Sequence, residues 1–200
     1  MEPIIAYHLI LTAYGFWLPN DPRGSWSEVV RAWELLLFGD ATKVTTKRSL
    51  ARKPHNRQLR LAAKRALVRD PVEFTGLQAR AIARGFADYC TRSGLIVYAC
   101  SILPTHAHLV IARHSCSIEQ VARLLKGAAT TQLNREGLHP FVGASYSNGQ
   151  LPSPWTRHEW SVFLHNAEEI LRAIRYVQNN PSKEGRNSQT WSCLTPFVTA

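Results

Sequence analysis

The chain has 200 residues, 45% of them apolar, a formal net charge of +10 and a pI near 9.9. Six Trp, six Tyr and seven Phe exclude general disorder, and the length fits one domain with room for a sizeable insertion. So basic a balance points to a polyanionic partner, nucleic acid before an anionic membrane surface, with charge that merely keeps the chain dissolved as the alternative. Cys90, Cys100, Cys116 and Cys193 form no C-x-x-C pair and read as reduced thiols. The acidic start Met1-Glu2-Pro3 is unlike a signal peptide, and no run approaches the ~20 apolar residues of a membrane span. A cytoplasmic location is the expectation.

Residues 4–14, rich in β-branched and aromatic side chains, predict a buried strand. Trp17 to Ser25 is turn chemistry. Residues 28–38 predict a short helix, with Ser25 and Glu28 at capping-box spacing. The stretch 43–69 then carries ten Lys or Arg and no acid: Lys43, Lys47, Arg48, Arg52, Lys53, Arg57, Arg60, Lys64, Arg65 and Arg69. Without interspersed acids it reads as a phosphate-binding segment, against a plain solvated basic helix. Asp70-Pro71 ends any helix there.

Thr75 and Gln78 have capping-box spacing, Leu77, Ile82, Phe86, Tyr89 and Cys90 follow a helical period, and Gly94 suits the stop. Two apolar runs, Leu95–Leu103 and Ala107–Ala112, predict a hairpin. Ser117 opens a second long helix to about Arg135, with Ile118, Val121, Leu124, Leu125, Ala128 and Ala129 inward. Residues 137–157 form a Gly-, Ser- and Pro-rich loop, and 158–164 a strand. Asn166 and Glu169 cap a last helix that ends at Asn180-Pro181. Strand, insertion, helix, strand, strand, helix, strand, helix is the order of an α+β sandwich.

Two constellations carry chemistry. His106 and His108, two apart on a strand, point to the same face. They form either half of a metal site or a pair of partly buried, hydrogen-bonded histidines. In the last helix Tyr176 lies about 200° around from Ile174, off the stripe of Ile170, Leu171, Ile174 and Val177. Asn180, four residues on, returns to nearly the same face, away from the core. A surface-packing aromatic is the other reading of Tyr176. Lys126 is placed either to touch a phosphate or to be solvated. Trp17 and Trp26 flank Arg23 in a loop that either stacks bases or simply packs. A zinc site of His106, His108 and Cys116 lacks an evident fourth ligand, and His114 falls beyond the strand end.

Taken together, these segments resemble a known family. Leu103-Pro104-Thr105-His106-Ala107-His108-Leu109-Val110 resembles the His-hydrophobic-His motif of the HUH single-tyrosine transposases, of the insertion-sequence 200-like type. Ile174-Arg175-Tyr176-Val177-Gln178-Asn179-Asn180-Pro181 is similar to the catalytic helix of their REP-associated tyrosine transposase branch, and Leu124-Leu125-Lys126 through Asn134 to its middle helix. Thr105 stands where Asn is usual, Ala107 is a small central hydrophobe, and the basic insertion at about 27–74 exceeds the minimal core.

The resemblance implies a ferredoxin-like sandwich, an antiparallel sheet with helices packed on one face and the histidines on a central strand. It implies one catalytic domain over 1–185, with a loosely structured tail at 186–200. It also implies that His106, His108 and Asn180 hold a divalent ion, Mg or Mn. Tyr176 would cut single-stranded DNA, at hairpin or palindromic repeats, through a 5′-phosphotyrosine link, as a monomer or homodimer. Lys126, Arg23, Lys47, Arg48, Arg52, Lys53 and Arg57 are the candidate DNA contacts. A non-catalytic DNA-binding module of the same fold is the second reading. A replication or conjugation nickase is a third, for which the chain leaves little room.

Overall fold

Capping chemistry sets most of the helix boundaries. The computed structural model describes residues 2–19, 21, 30, 33–39, 41 and 55–198. Strand β1 (Ala6–Thr12) comes first; of the short helix expected over 28–38, the described residues show a 3-10 helix at Trp33–Phe38 and a non-helical Val30. Helix α1 (Arg57–Arg65) starts on Asn56, whose side chain accepts the Leu59 N–H at 3.0 Å. Helix α2 (Gly76–Ser93) has the full reciprocal box of Thr75 and Gln78, and ends on Gly94 at φ 70°, a left-handed cap that glycine adopts without strain. Strands β2 (Val97–Ile102) and β3 (His106–Ala112) form the hairpin. Helix α3 (Ile118–Arg135) is capped by Ser117. Strand β4 (Trp160–Leu164) leads to α4 (Ala167–Lys183), capped by Asn166.

The chain divides into two compact units, Ala13–Val72 and the residues on either side of it. The basic insertion expected at 27–74 therefore belongs to a unit that begins earlier, directly after β1. This smaller unit gathers Leu18, Leu35 and Ala63 into a core of its own. Within it, Arg60 Nη1 lies 3.7 Å from the buried Asp21 carboxylate.

The larger unit is an antiparallel four-stranded sheet in the order β2-β3-β1-β4 with helices packed against it, the α+β ferredoxin-like arrangement. β1 and β3 are paired so that Ile10 sits opposite His108 and Thr12 opposite His106. Side chains alternate across a strand, so Leu9, Leu11, Ala107, Leu109 and Ile111 share one face, all fully buried. Helices α2 and α3 lie on each other over this face. They approach so closely at Gly85 that a Cβ there would lie 2.7 Å from the Ala128 carbonyl oxygen.

Helices on one face describes α2 and α3. Helix α4 covers the opposite face, where Ile170, Ala173, Ile174 and Val177 pack on Ala6, Ala99, Val110 and Leu164. Leu77, Leu124 and Leu171, expected on inner helix faces, are exposed.

Two further expectations need correction. Helix α4 continues through Pro181 to Lys183 rather than ending at Asn180-Pro181. Proline lacks one N–H, which costs the last turn a single bond. That turn is closed instead by the Glu184 and Arg186 N–H groups, both donating to the Pro181 carbonyl. The tail expected to be loose is tied to β2. Gln189 donates to the Ile102 carbonyl and accepts its N–H, Leu194 bridges Val97, and Thr195 N–H donates to the Val97 carbonyl at 2.8 Å. Phe197 stacks edge-on against Tyr98. Among the described residues, no helix is long and apolar enough to cross a membrane.

Candidate active site

The polar face of β3 begins with His106 and His108, which the alternation of an extended strand turns the same way. Their ring centroids are 4.8 Å apart and nearly perpendicular. His108 is buried, with 4% of its surface exposed, and His106 is half-buried. Each imidazole has its Nδ1 engaged: His106 Nδ1 with Thr105 Oγ1 at 3.0 Å, His108 Nδ1 with His8 Nε2 at 3.0 Å. The threonine that departs from the family pattern thus still contacts the first histidine.

His8 is the residue that reading the sequence missed. It lies in an apolar run, where a single histidine carries no local signal. The register that sets Ile10 opposite His108 also sets His8 one step along on the same face. Withdrawal of its ring from water pushes the His8 pKa down to about 4. Burial does the same to His108, helped by the neighbouring His106 and His8. Both rings are therefore neutral at pH 7, the form that has a lone pair to give to a metal.

Tyr176 comes down onto this cluster from α4. Its ring centroid is 5.6 Å from those of both His8 and His108, while 42% of the residue stays exposed. The phenol is thus anchored on the imidazoles and open to solvent. Partial burial, then the Glu184 carboxylate, raise its pKa above the usual value, so it is protonated at rest. Lys183 Nζ lies 4.8 Å from the ring centroid, two turns along a helix that runs past Pro181. Asn180 lies one turn beyond Tyr176 but is buried, 8% exposed, rather than turned away from the core as expected. Three residues on from Val177, it rotates back toward the apolar stripe.

The remaining candidates fare differently. Lys126 is neither solvated nor extended toward a ligand. It is buried, and its Nζ donates to the Thr156 and Arg157 carbonyls at 3.2 and 3.0 Å, with Glu159 Oε2 at 3.5 Å. Desolvation lowers its pKa, against the opposing pull of Glu159. His114 donates from Nε2 to the Ser93 carbonyl and accepts the Cys116 N–H at Nδ1, a structural role that uses both nitrogens. Arg57 is exposed in the first turn of α1. Arg23, Trp26, Lys43, Lys47, Arg48, Arg52 and Lys53 lie outside the described residues, so the segment read as phosphate-binding is represented by its Arg57–Arg69 end.

Among the described residues, no three His, Cys, Asp or Glu side chains converge as a ready-made metal cage. The zinc reading with Cys116 therefore finds no support. The geometry explains why three neighbouring histidines do not make one: His8 Nε2 is turned to His108 rather than to a common centre. The donor chemistry of His106, His108 and Asn180 does fit a divalent ion. It comprises two imidazoles, His108 neutral at pH 7, and one amide oxygen, with the remaining positions left to water or phosphate oxygens.

No family model and no curated protein matches the chain. The solved structures similar to it include a pair that cover most of its length. A REP-associated tyrosine transposase bound to a REP hairpin is 10% identical, with a TM-score of 0.47, covering 100% of this chain and 96% of that one. A Deinococcus radiodurans R1 protein assigned as a transposase is 13% identical, with a TM-score of 0.38, covering 88% and 91%. Likenesses this distant leave the functional reading to the residues of the site.

Proposed function

We propose that the chain is a transposase-type endonuclease and strand transferase for single-stranded DNA, acting at hairpin-forming repeats, with Tyr176 as nucleophile. The observation that carries this reading is the half-exposed phenol seated on the histidine cluster, 5.6 Å from the His108 ring. A tyrosine used only for packing has no need of an open edge beside buried, neutral imidazoles.

In the proposed step Tyr176 Oη forms a bond to the scissile phosphorus as the bond from phosphorus to the 3′ oxygen breaks. The phenolic proton is lost, the 3′ oxygen leaves as a hydroxyl, and a 5′-phosphotyrosine remains. A second 3′-OH reverses the sequence and joins strands. A phenolate leaves far more readily than an alkoxide, because its conjugate acid has a pKa near ~10, so the link stays reversible. His106, His108 and Asn180 would hold a divalent ion, Mg or Mn, which when bound supplies Lewis-acid withdrawal of phosphate charge. The chain's own residues orient the phenol between His8 and His108 and keep both imidazoles unprotonated. Lys183 places a cation beside the ring, where the transferred phosphate would gather negative charge. The basic run that includes Arg57 would hold the backbone by phosphate contacts, so binding should weaken with salt.

The test is incubation with 3′-labelled, hairpin-bearing single-stranded oligonucleotides and Mn²⁺ or Mg²⁺, scoring protein–DNA adducts on denaturing gels. Wild type should form an adduct and Tyr176→Phe none. An adduct at full yield from Tyr176→Phe would refute the nucleophile. Salt-sensitive binding without any adduct from wild type would favour the non-catalytic binding module.

A further inference from the structure

We infer that His8 is a positioning residue that fixes the tautomer of His108 and aims its Nε2 into the site; this rests on the metal reading above. The argument is one of valence. A neutral imidazole carries one proton on its two nitrogens. His108 Nδ1 is 3.0 Å from His8 Nε2, so only Nε2 of His108 remains to meet a ligand. To offer a lone pair there, His108 must carry its proton on Nδ1 and donate it to His8 Nε2. His8 Nε2 must then be unprotonated, with its own proton on Nδ1. The opposite direction of the same hydrogen bond would place N–H at His108 Nε2 and abolish ligation. The direction of the His8–His108 hydrogen bond therefore separates a ligating from a non-ligating histidine.

Its second contact supports the assignment. The His8 ring also meets Tyr176 edge-on at 5.6 Å and 61°, so one side chain borders both the second ligand and the nucleophile. His8 comes from β1 and Tyr176 from α4, and the β1–β3 register brings the first of them to His108. Rotation of the His108 ring is thus limited on two sides. Metal-bound histidines are held this way by an acceptor at the second nitrogen, and loss of such acceptors weakens metal affinity by about 10- to 100-fold. Thr105 Oγ1 stands in the same relation to His106 Nδ1.

Two measurements test the inference. ¹⁵N NMR of the histidine side chains, with and without Mg²⁺, reads the tautomer of His108 in the unaltered protein. Mn²⁺ binding, followed by the EPR signal of the free ion, is compared for wild type, His8→Phe and His8→Gln. Glutamine can present an acceptor oxygen near the place of the imidazole Nε2; phenylalanine keeps only the ring. We expect His108 protonated at Nδ1, Mn²⁺ affinity about 10- to 100-fold weaker in His8→Phe, and recovery to within a few-fold in His8→Gln. A proton at His108 Nε2, or wild-type affinity in His8→Phe, overturns the role of His8 alone. Absence of Mn²⁺ binding in wild type overturns the metal reading, and the tautomer still decides the His8–His108 bond.

Discussion

Alternate residues of β3 meet two different environments. Ala107, Leu109 and Ile111 are sealed beneath α2 and α3, where only shape and apolar area matter. His106 and His108, one residue out of step, face the side covered by α4, where a tyrosine replaces aliphatic packing at one end. The same α4 that contributes Ile170, Ile174 and Val177 to a core delivers Tyr176 to its margin. The contrast teaches that one face of the strand is wholly core, whereas the other gives its Val110 to a core and its two histidines to the proposed site. Changes on one face should therefore leave the other's property largely intact.

The sharpest way to break that division is a pair of neighbouring substitutions. Leu109→Ala should cost about 2–5 kcal/mol of stability, as for a fully buried leucine, while the protein that remains folded still forms adduct. His108→Ala should abolish metal-dependent adduct formation while costing less stability than Leu109→Ala. Urea denaturation and the adduct assay measure the two outcomes. Equal loss of both properties in both variants would mean the faces are not separable.

A somewhat smaller effect is expected from pH. The His8 pKa is lowered in the folded protein to about 4 from 6.5, so below pH 6.5 the unfolded chain binds the extra proton first. Stability from this group is fully present above pH 6.5, is lost progressively as pH falls toward 4, and changes no further below that. His108 acts in the same direction. Urea midpoints from pH 7.5 to 4.5 should decline, and His8→Gln should flatten the curve. A wild-type midpoint that holds constant across this range would contradict the burial of these rings.

The smallest effect concerns Lys126. Because it binds the Thr156 and Arg157 carbonyls, Lys126→Met should cost about 1–3 kcal/mol, the penalty of leaving buried acceptors unpaired. The salt dependence of DNA binding should stay unchanged. A shallower salt slope would instead reveal a phosphate contact.

Features encoded within a few residues were legible in the sequence. The caps at Thr75, Ser117 and Asn166, the left-handed Gly94 and the His-x-His alternation all read correctly because each depends on local geometry. Tyr176 was placed off the apolar stripe by helical period alone, and it is indeed exposed. What depends on long-range pairing was hidden. His8 joins the cluster only through the register of β1 against a strand about one hundred residues away. The burial of Lys126 depends on where the loop before β4 passes. The extension of α4 past Pro181 depends on bonds from Glu184 and Arg186, and without it Lys183 would not stand over Tyr176.

The bonds from Gln189 and Thr195 to β2 have a consequence outside the site. β2 is an outer strand of the sheet, and an uncovered outer strand offers its backbone groups as a template for a strand from another molecule. Gln189, Leu194 and Thr195 take up part of that template at Ile102 and Val97, so an added strand would have to displace them there.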